Sequence, residues 1–339
     1  MSNSSTIWLP DAKRTQSAGA SIVESLYGIP VTIWLTGTLG AGKTTLLQGL
    51  GTALNIPERL TSPTYALEQR YHTEHFGELL HIDLYRLTPH EAEDLVQSSH
   101  QHHGIRCIEW ADRLPESWGE EGIILALNER PDAKGRDLTV TFRDMPLPTR
   151  KQVLAWREEF CLSHLIGRHC DAVADTAVRL GEALMQHTHS IIRLDALQAA
   201  GWVHDLMRFV DFHRGTSHVE REINPEHANV WENVKARYPG LHHEAAVAQF
   251  LAGQGFAGLA EIVRVHGLTL ADSTRITIEQ RLLYYADKRV KMDDVVSLDE
   301  RLLDFTERYS RTGKLTESDA WYDEARRTEH DLFPDGPPF

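Results

Sequence analysis

The chain has 339 residues, enough for two ordinary domains. Hydrophobic residues make up 41% and charged residues 25%, the balance of a soluble globular protein, and no apolar run approaches the ~18 residues of a membrane span. The formal charge is −14, with 13 basic against 19 acidic residues in 1–150 and 22 against 30 in the rest, so neither half offers the basic field that direct nucleic-acid binding requires.

In chain order, the opening MSNSSTIWLPDAKR has neither a basic stretch nor an apolar core, so no secretory signal is expected. The chain is expected to be cytoplasmic and to have no membrane partner. Short β-rich runs follow at Val31–Thr36, Leu79–Asp83, Ile105–Trp110, Ile123–Leu127 and Leu138–Phe142, separated by helical or loop stretches. That alternation predicts an α/β sheet, partly parallel. The last two runs are joined by the polar ERPDAKGRD, which reads as an antiparallel hairpin connection.

After MPLPTR (145–150) the pattern changes to apolar residues at three- and four-residue spacing. VLAWREEFCLSHLIGRHCDAVADTAVRLGEALMQ reads as helical, as do roughly 194–210, 226–237, 242–253, 258–266 and 277–291. The division expected is 1–150 for the α/β domain and 151–339 for an all-helical one, ending in a short disordered tail, FPDGPPF.

Gly37-Thr38-Leu39-Gly40-Ala41-Gly42-Lys43-Thr44 satisfies GxxxxGK[ST] in full, after the strand VTIWLT and before the helix KTTLLQGLGTAL. Glycines let consecutive N–H groups curl inward around phosphate oxygens, and the helix N-terminus adds partial positive charge. Lys43 can then reach the β- and γ-phosphates and the Thr44 hydroxyl can hold Mg²⁺. Two acids end apolar strands, Asp83 in HIDLY and Glu109 in CIEW, at the carboxyl edge where ligands sit in parallel sheets. One can bind Mg²⁺, directly or through water, and the other can position the attacking water; either alone would equally suit a helix cap. Ser62-Pro63-Thr64-Tyr65 lies where a loop can sense the γ-phosphate. Neither NKxD nor LSGGQ occurs, which argues against a GTPase and a transporter ATPase.

GTLGAGKTT, SPTY, HIDLYRL and IEWAD, in that order, resemble the TsaE family, small bacterial ATPases of tRNA threonylcarbamoyladenosine biosynthesis; the similarity covers about residues 9–143. The resemblance implies that Lys43, Thr44 and Thr45 bind ATP/ADP and Mg²⁺, that Glu109 is the metal-associated acid and that Asp83 is needed for catalysis. It sets Trp110 beside the nucleotide and brings Arg136 toward it. It also implies work with a TsaB–TsaD-like pair that modifies adenosine 37 of tRNA, so tRNA is met indirectly. That route suits an acidic chain.

Cys107, Cys161 and Cys170 form no CxxC pair, so neither a disulfide framework nor a zinc ribbon is expected. Histidine is the outlier, at 19 residues, most of them after position 160. His169, the pair His204-Asp205, His243, His266 and Asp287 all fall in largely apolar helical stretches, where an unpaired imidazole or carboxylate costs several kcal/mol. Gathering the six around divalent metal satisfies all of them. His242 is expected to be exposed, and His164, His187, His189, His213, His218 and His227 to be structural or solvated.

This half resembles the HD-domain phosphohydrolases over about residues 160–295, in the paired His-Asp, the VAxxA after His169 and the ADK around Asp287. The resemblance implies that His169, His204, Asp205 and Asp287 hold one metal. His243 and His266 resemble the two-metal subgroup that includes the YqeK-type diadenosine tetraphosphate hydrolases, with Asp205 bridging Fe or Mn ions and catalysing attack on a nucleotide substrate. Arg208 and Lys288 are neighbouring cations able to hold phosphate.

The fold class expected is therefore an α/β P-loop NTPase domain followed by an all-α HD-type domain. The function expected is Mg²⁺-dependent ATP hydrolysis supporting tRNA modification, fused to metal-dependent phosphoester or phosphoanhydride hydrolysis. The competing readings are a P-loop kinase, a nucleotide-gated binding module with an inert HD docking domain, and a cyclic-nucleotide or cyclic-dinucleotide phosphodiesterase.

Overall fold

A computed structural model describes residues 4–115, 118–119, 121–130, 134–212, 225–268, 274–309 and 318–339. His213, His218 and residues 131–133 of the expected hairpin connection lie outside the described residues. The chain divides into two compact units, residues 1–144 with 184–193, and 145–183 with 194–339.

Among the described residues the first unit carries strands β1 (Ser4–Leu9), β2 (Val31–Thr36), β3 (Glu68–His72), β4 (Glu78–Asp83), β5 (Ile105–Glu109), β6 (Ile123–Glu129) and β7 (Arg136–Phe142). They form one mixed sheet in the order β1-β7-β6-β2-β5-β4-β3. β2 lies at its middle, buried from Val31 through Leu35, and pairs in parallel with β5 and β6, as its unbroken apolar run requires. β4 pairs in parallel with β5 so that Asp83 stands opposite Glu109. β6 and β7 form the expected antiparallel pair.

β1 and β3 are edge strands that the sequence reading passes over. β1 alternates exposed and buried positions, placing Ile7 opposite Leu138 on β7. β3 has no fully buried residue, so no apolar run marks it.

Helix α1 (Ala12–Ser21), capped by Asp11, lies against α2 (Lys43–Ala53), the helix opened by the glycine-rich loop. Their backbones touch. A Cβ on Gly19 would stand 1.9 Å from the Leu46 carbonyl oxygen, and one on Gly49 1.9 Å from that of Gln16. α3 (Pro89–Ser98) links β4 to β5 and opens with a capping box between Thr88 and Glu91. Residues 184–193 complete this unit. His189 donates from Nδ1 to the Trp8 carbonyl (2.7 Å), the Ile191 N–H donates to Ser21 Oγ (2.8 Å), and Arg193 forks onto Asp144 at 2.6 and 2.7 Å.

The second unit is largely helical: α4 (Arg150–Glu159), α5 (His164–Thr188, whose last turn belongs to the first unit), α6 (Leu194–Val203), α7 (Pro225–Arg237), α8 (His243–Gly253), α9 (Ala257–Val263), α10 (Ile278–Arg289), α11 (Leu298–Tyr309) and α12 (Ser318–Leu332). Its one departure from all-α, among the described residues, is a two-residue pairing of β8 (Val290–Lys291) with β9 (Asp294–Val295). The long stretch after Val153 is two helices, broken where Cys161 takes a positive φ of 49°. The stretch 194–210 also divides, into α6 and a 3₁₀ turn at Arg208–Asp211.

α10 is buried along nearly its whole length, and Tyr284 and Tyr285 with Trp321, Phe160 and Phe209 are the largest fully buried side chains of this core. The C-terminal FPDGPPF is not the free tail expected. Phe333 is buried, the Arg289 guanidinium donates to the Phe339 carbonyl (2.6 Å), and Arg179 lies 3.8 Å over the Phe339 ring. Cation–π contact and a charged donor outweigh the loop-forming composition. Among the described residues no helix is long and apolar enough to cross a membrane.

The α1–α2 contact gives a stability prediction. Alanine at Gly49 gains about 1 kcal/mol of helix propensity. A Cβ against a backbone oxygen cannot be relieved by a rotamer change, and overpacking of that kind costs about 1–3 kcal/mol. Gly49→Ala should therefore lower the thermal midpoint of the full chain by several degrees, read by calorimetry; an unchanged or raised midpoint would show that the helices part freely.

Candidate functional site

The glycine-rich loop turns on Gly37, Gly40 and Gly42, with φ of 131°, 82° and 101°, angles that residues with a Cβ adopt only under strain. Ala41 is buried between them. Lys43 Nζ donates to the carbonyls of Gly37 (2.7 Å) and Thr38 (3.0 Å) and lies 3.7 Å from the centre of the Trp110 ring. Burial pulls the Lys43 ammonium below the usual lysine range, against the attraction of Glu109, Asp112 and Asp83. The Arg136 guanidinium donates to the Ala41 carbonyl, hard against Gly42.

Thr44 donates from Oγ1 to Glu109 Oε1 (2.8 Å), so the hydroxyl and the carboxylate expected around Mg²⁺ are already joined; Thr45 follows, half-buried. Asp83 is held differently. Its Oδ2 accepts from Ser62 and Thr64, both at 2.6 Å, and its Oδ1 from the Tyr85 N–H at 2.9 Å. The SPTY loop is thus tied directly to the strand-end acid. Trp110 itself sits at φ 62° and packs on Tyr85 with ring centres 4.7 Å apart.

The sequence reading missed His81, which is fully buried with Nε2 at 3.0 Å from Glu109 Oε1. A signal existed, since His81 is two residues from Asp83 and shares its face of β4.

In the helical unit the six predicted residues do converge, but not all from helices. His169 lies in α5, His243 opens α8 and Asp287 lies in α10, whereas His204 and Asp205 follow the end of α6 and His266 follows α9. Loop positions let the imidazoles turn inward without helix register constraining them. The ring centres of His169 and His204 are 5.4 Å apart, those of His204 and His266 5.1 Å, and those of His243 and His266 5.1 Å.

Each of the four rings commits Nδ1 to an acceptor. His169 donates to the Met292 carbonyl (2.9 Å), His204 to Gly201 (2.8 Å), His266 to Val263 (2.5 Å) and His243 to the carboxylate of Asp211. A carbonyl can only accept, so Nδ1 carries a proton in each of those rings and Nε2 is the nitrogen that faces inward. Those Nε2 atoms face Asp205 and Asp287. His169 is 3.1 Å and His204 3.7 Å from Asp287 Oδ1, while His243 is 3.1 Å and His266 3.8 Å from Asp205 Oδ1. The buried His204 Nε2 has no hydrogen-bond partner, and the Nε2 atoms of His243 and His266 confront each other at 3.2 Å.

Imidazole Nε2 atoms converging on two carboxylates, one of them without a hydrogen-bond partner, form a mixed N/O donor set that fits a divalent metal of the borderline kind. Ligand atoms of His169, His204 and Asp205, and of Asp205, His243 and His266, each lie within 4.8 Å of one another. Asp205 is common to both groups. Burial pushes its carboxyl up, but His204, His243, His266 and Arg208 bring it well below the usual range; Asp287 is likewise lowered against burial, by Lys288, His169 and His204.

His169, Asp205, His243, His266 and Asp287 line a cavity of about 660 Å³ that Arg208, Lys288 and Arg301 also reach, with Ile166, Phe212 and Phe305 supplying apolar wall. Arg208 and Lys288 are engaged within the protein, Arg208 with His243 and Asp211 and Lys288 with Asp287. His242 is exposed, as expected, and His189 is structural. Asp211 was not anticipated: four residues of ordinary sequence separate it from the His-Asp pair's neighbour Leu206, and only the 3₁₀ turn brings it to His243.

The glycine-turned loop, its lysine and threonine, and two acids at the carboxyl edge of parallel strands define a P-loop nucleotide-binding protein. Residues 9–138 match the family model described as threonylcarbamoyl adenosine biosynthesis protein TsaE. A tRNA threonylcarbamoyladenosine biosynthesis protein TsaE from Nostoc sp. is 44% identical over 114 residues, covering 32% of this chain and 69% of that protein. Its counterpart from Synechocystis sp. is 39% identical over 119 residues, 34% of this chain and 74% of that one. The chain belongs to the TsaE family. A solved structure of a predicted HD superfamily hydrolase involved in NAD metabolism, from Clostridium acetobutylicum, is similar at 16% identity and a TM-score of 0.31, covering 56% of this chain and 100% of that one. A likeness that slight carries no assignment of the helical unit, which rests on its own side chains.

The lowered Lys43 sets a pH dependence. The ammonium is present below its folded value and lost as pH rises through it, earlier than for a lysine at 10.5. ATP affinity measured by calorimetry should fall over that alkaline range, and in Lys43→Arg, which stays charged, it should not; parallel profiles would remove Lys43 from phosphate binding.

Proposed function

We propose that the first unit is a Mg²⁺-dependent ATPase that supports tRNA threonylcarbamoyladenosine formation together with a TsaB–TsaD-like complex. The reading is supported by the family membership and by the bond from Thr44 to Glu109, which joins the two residues suited to Mg²⁺ at the mouth of the phosphate loop. Lys43, with the loop N–H groups from Gly37 to Thr45, would bind the β- and γ-phosphates. Mg²⁺ held by Thr44 and Glu109 would supply charge neutralisation on them. Asp83, whose Oδ2 already accepts from Ser62 and Thr64, is suited to orient the water and to pass a change in that loop outward. Arg136 would brace the loop through the Ala41 carbonyl, and Trp110 would cover the lysine.

The second unit is read as a metal-dependent phosphohydrolase acting on a nucleotide. The observation that carries it is the inward set of Nε2 atoms around Asp205. His169, His204, Asp205 and Asp287 would hold one Fe or Mn ion, and Asp205, His243 and His266 a second. Such ions supply water activation and stabilisation of phosphoryl charge. The chain's own contribution is to keep each ring in the Nδ1–H tautomer and both carboxylates ionised.

One pair of variants separates the two activities. The full chain loaded with Mn²⁺ should release phosphate or nucleoside from members of a nucleotide panel that includes diadenosine tetraphosphate. His204→Ala should lower that release by about 10²-fold or more while leaving Mg²⁺-dependent ATPase activity intact. Glu109→Gln should do the reverse, lowering ATPase activity and tRNA modification in the reconstituted system by ~10²-fold. A wild-type chain with no bound metal and no turnover on the panel would leave the helical unit as a docking domain.

A further inference from the structure

Three of the four inward-facing histidines are anchored at Nδ1 by backbone carbonyls, from Met292, Gly201 and Val263. His243 alone is anchored by a carboxylate. Asp211 Oδ2 takes its Nδ1–H, Asp211 Oδ1 accepts the His243 backbone N–H at 3.2 Å, and the Asp211 carboxylate also faces Arg208 at 3.4 Å. Asp211, His243 and Glu244 would by proximity alone qualify as a third ion site. The ring rules that out. Its Nε2 faces Asp205 (3.1 Å) and His266 (3.2 Å), and an imidazole that ligates through Nε2 has no second lone pair, so its Nδ1 carries the proton that Asp211 accepts.

A carboxylate partner does more than a carbonyl. It fixes the tautomer and raises the basicity of the far nitrogen, strengthening it as a donor. Asp211 also offsets a specific liability. The Arg208 guanidinium lies 2.9 and 3.1 Å from the two nitrogens of His243, a cation pressed against a prospective cation ligand. Glu244 also approaches Nδ1, at 3.2 Å, but makes neither the backbone bond nor the Arg208 contact. We infer that Asp211 is the positioning residue that makes His243 a metal ligand, and that it thereby governs occupancy of the ion position formed by Asp205, His243 and His266 without governing the one formed by His169, His204, Asp205 and Asp287. The inference rests on the metal-centre reading above.

The test is a Co²⁺ titration of the metal-free full chain, followed by visible absorption and by elemental stoichiometry after gel filtration. Wild type should bind two ions. Asp211→Asn should keep one at wild-type affinity, the retained ion showing that the fold is intact, and should bind the second about 10–100-fold more weakly. His243→Ala should lose the same ion, Asp211→Glu should restore part of its affinity, and Glu244→Gln should keep both. Two ions bound as in wild type by Asp211→Asn, loss of both, or loss of the second in Glu244→Gln alone would overturn the assignment of Asp211 while the metal centre stands. A wild-type chain that takes up no Co²⁺, or one ion only, would overturn it too; no uptake would sink the metal-centre reading itself.

Discussion

A neutral imidazole has two ring nitrogens and a single proton, and inside a protein both nitrogens must be accounted for. That constraint organises the helical unit. Once the carbonyls of Met292, Gly201 and Val263 and the carboxylate of Asp211 have accepted from Nδ1, four Nε2 atoms are left pointing at two aspartates. A carboxylate cannot satisfy an unprotonated nitrogen, and His204, His243 and His266 are buried. The cost is several kcal/mol per group unless a cation enters. The backbone thus does half of the selection: the acceptors for His204 and His266 are the carbonyls three residues earlier, supplied by the chain's own turn at the ends of α6 and α9.

The same accounting applies in the first unit. His81 is buried on β4, and its contact with Glu109 leaves Nδ1 without a hydrogen-bond partner. A carboxylate oxygen only accepts, so the bond at Glu109 Oε1 is donated from His81 Nε2–H. That oxygen then accepts from both His81 and Thr44. The carboxylate is held in a fixed orientation by a strand neighbour on one side and by the P-loop helix on the other. The parallel register of β4 with β5, which sets Asp83 opposite Glu109, places the two acids on adjacent strands, each with its own set of donors.

Much of this was legible because the strongest signals are local. The phosphate loop is eight consecutive residues, and the central strand β2 falls at Val31–Thr36 as its unbroken apolar run indicates. That His169, His204, Asp205, His243, His266 and Asp287 gather in one place was legible because inward-facing imidazoles and carboxylates are costly unless they meet partners. What escaped was marked by weak patterning. β1 and β3 are sheet edges, β1 burying only alternate residues and β3 none. α12 is charge-rich and buries Trp321, Ala325 and Leu332, with the Arg275–Glu324 ion pair doing what further apolar residues would do elsewhere. His81 and Asp211 are polar residues whose partners lie 28 and 32 positions away, a relation that only the folded chain displays.

Charge decides what the second site attracts. With every ring ligating through an unprotonated Nε2 and both aspartates ionised, the six groups would carry −2 and two divalent ions +4, so a loaded centre would be net positive in a chain whose formal charge is −14. Arg208 and Lys288 add less than their number suggests, because each is paired with an acid, Asp211 and Asp287 respectively. On the proposed reading, the pull on an anionic phosphate would come from the ions, and an ion-free site surrounded by Asp205, Asp211, Glu244 and Asp287 would repel it. Substrate affinity and metal occupancy would be one quantity in such a site. The carboxylates proposed to hold the ions would also exclude an anionic substrate until the ions were there, which would make metal binding a precondition for recognition and not only for chemistry.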